Sequence, residues 1–395
     1  MRFEFGADIG SLIFGLLSTI AASLLLPKEQ DTRGYFVLTA HYFFVLPSII
    51  YATFNPVGWE YIASLGIFIF FIYIASLYPV RGFYAPGVKS ETLAKALCVP
   101  VIFSLAFLAL LGGLKNFSLD IDAVYQYRRE TAENLPDVFG YIFFNVSNAI
   151  IPSSVVLALH LRSKLLALVG VVSGILLFAM SHHKSILFIS LAVVLFYVIF
   201  RKIRNVRMYA VFPIALVLLG CVEIVYNTYF ATTREPGYLT SYMVRRALYV
   251  PAMADAAAVE IFSETAKYFW SASRISFGFL QNPHGETPPV FLAMNIFNDP
   301  GMSLNSGVIG SGFAQAGILG VSMYSIVTAL IMSFINSVGA RVGHPLVAAL
   351  SLPIILQIFT TTDLVTSILT HGLLLLIVIL IYLPPDKVIV GYRSR

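Results

Sequence analysis

The sequence predicts an all-α polytopic membrane protein of about 11 transmembrane helices, with one long outward loop that contains short helices. Hydrophobic residues make up 58% of the chain and charged residues 11%, which excludes an ordinary soluble domain. Apolar runs of about 16 to 22 residues recur, close to the ~20 residues that a helix needs to cross a bilayer. The stretch 230–305 holds no such run. That interruption marks it as the first place to look for function.

The apolar runs extend along the whole chain and predict a single integral membrane domain over 1–395. We expect the first run to be a retained helix, because Glu4 and Asp8 precede it and no small-residue cleavage pattern ends it. Cys98 and Cys221 both fall inside runs, so packing explains them better than a disulfide. The predicted spans are 9–26, 34–54, 61–78, 93–114, 138–160, 165–180, 186–200, 208–229, 316–338, 345–360 and 364–383.

Basic residues predict the orientation. The short loops on one side, with the C-terminus, carry about three times as many Lys and Arg as those on the other side. That side is therefore expected to be cytoplasmic, and it includes the cluster 201–207. The N-terminus, the loop 115–137, the turn 181–185 and the periplasmic loop 230–305 then lie outside.

The sequence also narrows the class of function. The net charge of +5 reads as an orientation signal, so no nucleic-acid partner is predicted. No phosphate-binding loop, dinucleotide fingerprint or Cys/His cluster with zinc spacing occurs. We therefore predict neither a cofactor nor a metal.

The loop 115–137 compresses several reactive side chains into the sequence DIDAVYQYRRE. Carboxylates can deprotonate a hydroxyl, Arg forms a planar fork onto phosphate oxygens, and Tyr offers a flat apolar face. The alternative is a solvated, self-paired loop at the lipid headgroups. The residues of interest are Asp122, Tyr125, Tyr127, Arg128, Arg129 and Glu130.

The turn 181–185 reads SHHKS and is squeezed between two short predicted spans. His183 and Lys184 would therefore sit near membrane depth, where ionisable groups are costly unless paired or facing a watery cavity. A phosphate would compensate them, whereas simple snorkelling of Lys184 to the headgroups is the alternative. Three other histidines, His41, His160 and His371, look isolated, and packing is the expected explanation.

The long loop divides into pieces. Arg245 and Arg246 come first, and Pro251 then begins an Ala-rich helix with Asp255 in its first turn. The segment 268–270 (YFW) resembles an interfacial aromatic anchor. The Gly- and Pro-punctuated stretch that follows holds Arg274, His284 and Glu286, either as ligand-binding groups or as solvated turn residues. Small residues over 306–316 predict a helix that lies at the surface and packs closely on a neighbour.

With these segments in view, the chain resembles the Wzy-type O-antigen or exopolysaccharide repeat-unit polymerases. The likeness rests on eleven or so helices, the segment VYQYRRE, the short turn SHHKS, the long periplasmic loop and the small-residue re-entry that ends in FAQAGILG. Some members of that family carry Arg followed by Gly at the eleventh position in two outward loops. Arg129 with Gly140 and Arg274 with Gly285 fit that spacing.

The resemblance implies that the chain joins undecaprenyl-pyrophosphate-linked oligosaccharide units into O-antigen or a related surface polysaccharide at the periplasmic face of the bacterial inner membrane. Its implied partners are those lipid-linked units, the lipid bilayer and a chain-length regulator. A leaving pyrophosphate requires preorganised cations, and an acceptor hydroxyl requires a carboxylate or His. The catalytic candidates are Arg129, Arg274, Asp122, Glu130, His183, His284 and Glu286, and the candidates for binding pyrophosphate or sugar are Arg128, Lys184, Arg245, Arg246, Tyr125 and Tyr127.

Three alternatives stay open. An O-antigen ligase would share the architecture and the acceptor chemistry. A flippase or transporter would be expected to carry ionisable groups within its helices and internal repeats, whereas Glu223 is the main intramembrane charge and no two halves match. A membrane acyltransferase would require a membrane-embedded catalytic His.

Overall fold

The computed structural model describes residues 6–28, 30–78, 80, 85, 87–115, 117–119, 137–202, 210–230, 237 and 239–385. Every regular element within these ranges is a helix, which confirms the predicted all-α class. The chain forms two compact units. Unit 1 comprises Met1–Pro79, Asn205–Ser333 and Leu356–Val365, and unit 2 comprises Val80–Arg204, Phe334–Ile355 and Thr366–Arg395.

Unit 1 contains the N-terminal helices and the long loop. Its helices are α1 (Ile9–Leu24), α2 (Thr32–Phe54), α3 (Trp59–Ile74), α8 (Val211–Tyr229), α9 (Leu239–Tyr249), α10 (Val250–Glu264), α11 (Pro288–Phe297) and the first part of α12 (Val308–Val342).

Unit 2 is built around four consecutive helices that pack on one another. These are α4 (Ser90–Gly113), α5 (137–160), α6 (Lys164–Ser181) and α7 (Lys184–Lys202). The chain then continues with α13 (His344–Thr360), which passes from unit 2 into unit 1, with α14 (Leu364–Leu369) and with α15 (Leu373–Tyr382).

Six of these helices, namely α2, α4, α5, α6, α7 and α12, are long and apolar enough to cross a membrane. Shorter apolar helices of 10–17 residues accompany them. The chain is therefore a helical membrane protein. The predicted number of about 11 spans stays a prediction.

The α12 segment is a helical hairpin rather than one straight rod. Ala316 (φ −150°) and Gly317 (φ +61°) leave the helical conformation, and a methyl group on Gly320 would overlap the carbonyl oxygen of Gly312. In an unbroken helix residues eight apart would be separated by ~12 Å. The chain therefore reverses at 316–317, close to where the predicted span begins.

The first arm of this hairpin, 308–315, is buried in unit 1 instead of lying at the surface, which corrects the sequence prediction. Its glycines explain the close packing: a methyl group on Gly307 would overlap the carbonyl oxygen of Phe359, and one on Gly310 would lie 2.7 Å from Asp255 Oδ1. The predicted close approach to neighbours is thus confirmed, whereas the predicted exposure is wrong. Small residues permit deep insertion as readily as surface docking.

The helix predicted from Pro251 is present as α10, but it lies in the interior of unit 1. Residues 251–259 are all buried, and α10 packs against α2, α3 and α11. The Ala-rich composition fits this position, because short side chains let neighbouring backbones approach. The long loop is therefore integrated into the core of its unit rather than appended to it.

Candidate active site

In unit 2 the turn between α6 and α7 places two histidines and a lysine together. His182 is buried and adopts the left-handed conformation (φ 59°, ψ 23°), and its N–H donates to the carbonyl of Phe178 at 2.7 Å. A left-handed non-glycine residue is a sign of local strain, which clusters at functional sites. His183 and Lys184 follow it half-buried.

The ring of Phe144 contacts two imidazoles. Its centroid is 5.5 Å from that of His183, edge to face, and 4.8 Å from that of His371, with an interplanar angle of 11°. Phe143 adds a second ring at 5.2 Å from His183. We call His183, Lys184, Phe144 and His371 the histidine cluster.

A break between α14 and α15 positions His371. Gly372 has φ +94°, and a methyl group there would lie 2.8 Å from the Cβ of Ala149, inside the π-helical turn Val146–Ile150 of α5. The Asn145 side-chain amide donates to the carbonyl of Thr370 at 3.1 Å, so a backbone carbonyl at the break is satisfied by a side chain. His371 Nδ1 and the Thr370 hydroxyl are 2.8 Å apart. Broken helices and π-turns are both common at functional sites of membrane proteins.

The structure thus corrects the view of His371 as isolated: it lies against Phe144, as His183 does. Sequence reasoning missed this because the two histidines come from distant helices. The signal was present, since the polar and glycine residues of Thr370–His371–Gly372 interrupt an otherwise apolar span. Such interruptions mark discontinuous helices.

The first end of the predicted reactive loop 115–137 is hydrogen-bonded next to this turn. The N–H of Ser118 donates to the carbonyl of Ala179, near the end of α6, at 3.0 Å. At its second end α5 begins at Asp137 and carries Phe143 and Phe144 to His183. The candidates between these ends lie outside the described residues, and their roles stay predictions: Asp122, Tyr125, Tyr127, Arg128, Arg129 and Glu130.

In unit 1 the long loop docks onto the reversal of α12. Tyr268 N–H donates to the carbonyl of Ala314 at 3.0 Å, and Phe269 N–H to the carbonyl of Gln315 at 2.9 Å. The Gln315 side chain accepts the N–H of Trp270 at 2.7 Å. The helix reversal leaves the carbonyls of Ala314 and Gln315 without helical partners, and the loop supplies hydrogen-bond donors to them. Unpaired carbonyls would be costly in the apolar interior.

This docking holds two aromatic residues in the left-handed conformation, Phe269 (φ 47°) and Trp270 (φ 60°). The Trp270 indole N–H donates to the Tyr324 hydroxyl at 2.9 Å, and that hydroxyl donates to Asp363 Oδ1 at 2.7 Å. The chain of bonds ties the long loop, the second arm of α12 and the turn after α13 together. The predicted aromatic anchor at 268–270 thus connects the long loop to α12 by hydrogen bonds within unit 1.

The side chain of Asp255, on α10, contacts the start of the first hairpin arm. It is fully buried, and its Oδ1 accepts the N–H of Gly307 at 2.8 Å; the carboxyl also accepts the N–H of Gly310. Burial raises the pKa of Asp255 to about 8, and these two hydrogen bonds oppose the rise. The residue therefore caps a helix with a carboxyl group whose burial favours the neutral form.

His284 and Glu286 shape the loop in which they lie. His284 Nε2 is 2.9 Å from the carbonyl of Ala266 and can donate to it, and the imidazole ring lies 4.0 Å from the ring of Phe291. The Glu286 carbonyl accepts from the Tyr268 hydroxyl at 3.1 Å, while its side chain is exposed. With Nε2 donating, Nδ1 remains available as a proton acceptor.

The cationic candidates of the long loop all face outwards from unit 1. Arg245 and Arg246 are exposed on α9, and Arg274 is exposed at the short turn Arg274–Ser276. Glu223, the charge predicted inside a span, is compensated: its carboxylate accepts the N–H of Thr240 at 2.6 Å, near the start of α9.

The described residues form no group of three or more His, Cys, Asp or Glu side chains suited to a metal ion. Comparison of the chain with protein-family models, with curated proteins and with solved structures finds no match.

Proposed function

We propose that the chain is a lipid-linked-oligosaccharide glycosyltransferase that polymerises undecaprenyl-pyrophosphate-linked repeat units into O-antigen or a related surface polysaccharide. The reaction belongs to lipopolysaccharide and polysaccharide biosynthesis, at the periplasmic face of the bacterial inner membrane. In this proposal about eleven helices span the bilayer, with the N-terminus outside and the C-terminus in the cytoplasm. A chain-length regulator is a further proposed partner.

The observation that carries the proposal is the histidine cluster. His183 and His371 both contact the ring of Phe144. His183, followed by Lys184, lies at the strained turn, and His371 lies at the helix break. An imidazole can accept the proton of an acceptor hydroxyl, and a cation can stabilise the charge of a leaving pyrophosphate. Ser118 bonds Ala179 close to this turn, and α5, which follows the loop, brings Phe143 and Phe144 to His183; in the proposal Arg128 and Arg129 are recruited to the same turn.

The step is a substitution at the anomeric carbon. The acceptor hydroxyl oxygen forms a bond to that carbon, and the bond from the carbon to the pyrophosphate oxygen breaks. The hydroxyl proton passes to an imidazole or a carboxylate of the chain. The lipid pyrophosphate leaves with the electron pair of the broken bond, and cations such as Lys184 and Arg129 stabilise its developing charge.

The test is the surface polysaccharide of a deletion strain complemented with single variants. Arg129→Ala is expected to leave lipopolysaccharide capped with a single repeat, and His183→Ala and His371→Ala are expected to shorten or abolish the ladder of chain lengths. His160→Ala is the matched control, because that histidine bonds Tyr197 within unit 2 at the other end of α5. Loss of even the single repeat would argue for a ligase or a flippase instead.

A further inference from the structure

The loop between α10 and α11 displays apolar side chains where it leaves the protein core. Phe277 is 82% exposed and Phe279 is 88% exposed, and Ile275 and Leu280 beside them are also exposed. None of these residues belongs to a candidate membrane span. Clustered exposed aromatic residues outside a span mark an interaction surface.

The backbone of this loop is held in place locally. The Ser276 hydroxyl donates to the carbonyl of Ser273 at 2.8 Å, and Phe277 N–H donates to the carbonyl of Arg274 at 3.1 Å. Phe277 is left-handed (φ 49°), followed by Gly278 at φ +77°. A left-handed non-glycine residue is strained, and the ring at this strained position lies largely outside the protein.

The loop starts beside the end of the second arm of α12, which we expect to lie at the bilayer boundary if that arm spans the membrane. The preceding residue pair, Phe269 and Trp270, is bonded to the reversal of α12, and the Trp270 indole reaches Tyr324. Tyr324 lies roughly 10 Å along the second arm from Gly317, at 1.5 Å per residue. That arm belongs to a helix apolar enough to span a membrane. Trp and Tyr prefer this interfacial depth.

The exposed aromatic residues also have a positive charge beside them. Arg274 is exposed three residues before Phe277. A guanidinium beside aromatic rings suits the surface of a lipid leaflet, where phosphate groups lie above the hydrocarbon. The aromatic rings and the aliphatic part of the Arg side chain can enter the hydrocarbon while the guanidinium stays at the phosphates.

We propose that residues 274–280 form a membrane-insertion loop, in which Phe277 and Phe279 enter the acyl region of the adjacent leaflet and Arg274 contacts lipid phosphate. The loop then holds the long segment of unit 1 at headgroup depth. This inference goes beyond the proposed polymerase and does not depend on it, since any membrane-surface activity of the long loop would use the same anchor.

Spin-label accessibility tests the insertion directly. The full-length chain with Cys98→Ala and Cys221→Ala, reconstituted in phosphatidylcholine–phosphatidylglycerol vesicles, is labelled at Phe277→Cys or at Phe279→Cys. Leu330→Cys, on an exposed position of α12, is the bilayer reference, and Glu286→Cys, exposed in the same inter-helix loop, is the aqueous reference. We expect the ratio of oxygen to nickel-chelate collisions at 277 and 279 to match position 330 and to exceed position 286 several-fold.

Two results would overturn the proposal. A ratio at both positions equal to that at 286 would place the loop in water. Low accessibility to both reagents would place it against protein, such as a second copy of this chain. If labelled variants fail to reconstitute, Phe279→Trp provides the second measurement: its added emission should be quenched by brominated phospholipid, and quenching by aqueous acrylamide alone would refute insertion. Polysaccharide assays are not involved, so failure here is separate from failure of the polymerase proposal.

Discussion

Replacing Asp255 by Ala should loosen the first arm of the α12 hairpin. The side chain accepts the N–H groups of Gly307 and Gly310 at the start of that arm, and the site is fully buried. A buried donor that loses its partner costs about 1–3 kcal/mol. Two such donors give an expected loss of about 2–6 kcal/mol in the free energy of unfolding.

Asp255→Asn should behave differently, because the amide oxygen replaces Oδ1 and keeps an acceptor. Burial raises the pKa of Asp255 from 3.8 to about 8, so the folded protein retains a proton that the unfolded chain has lost between those values. The contribution of Asp255 to the free energy of unfolding is therefore fully present below pH 3.8 and declines as the pH rises towards about 8. The Asn variant should lack that decline and should gain stability relative to the wild type as the pH rises.

Thermal unfolding followed by Trp fluorescence at pH 5 and pH 8, with hydrogen exchange of the peptide 306–316, measures both effects. Exchange in that peptide should rise in Asp255→Ala and stay near wild type in Asp255→Asn. Glu260→Ala, an exposed change on the same helix, is the matched control and should stay within about 0.5 kcal/mol. Equal behaviour of the Ala and Asn variants, or unchanged exchange in Asp255→Ala, would refute the capping role.

Three further predictions concern the helix breaks and their bonds. Gly320→Ala should prevent the hairpin from closing and reduce monodisperse protein in size-exclusion chromatography, whereas Gly66→Ala, with open space around its Cβ position, should be tolerated. Tyr324→Phe removes the hydroxyl that joins two partners and should cost about 1–3 kcal/mol, seen as faster exchange of the peptide 267–272; an unchanged rate would show that these hydrogen bonds carry no stability. Gly372→Ala should impair polysaccharide chain length as His371→Ala does, while Gly112→Ala, equally left-handed but unobstructed, should cost only backbone strain; equal effects would deny the packing role of the break.

The candidate site was only partly predictable. The turn 181–185 was predicted from charge at membrane depth, and the structure adds the contact of His183 with Phe144 and the presence of His371 on the same ring. His284 was predicted as a reactive group, and the structure shows it bonded to Ala266 and packed on Phe291. Spacing along the chain could not reveal either arrangement, because both depend on which helices meet.

The sequence by itself determined the membrane class, the approximate position of each apolar run and the start of a helix near Pro251. These follow from local hydropathy and helix propensity, which each segment carries alone. Only the tertiary structure decided that α10 is buried, that α12 reverses at 316–317 and that His371 meets Phe144. The physical reason is that lipid and protein interior are equally apolar, so composition cannot tell a lipid-facing surface from a protein-facing one, and close helix packing alone settles it.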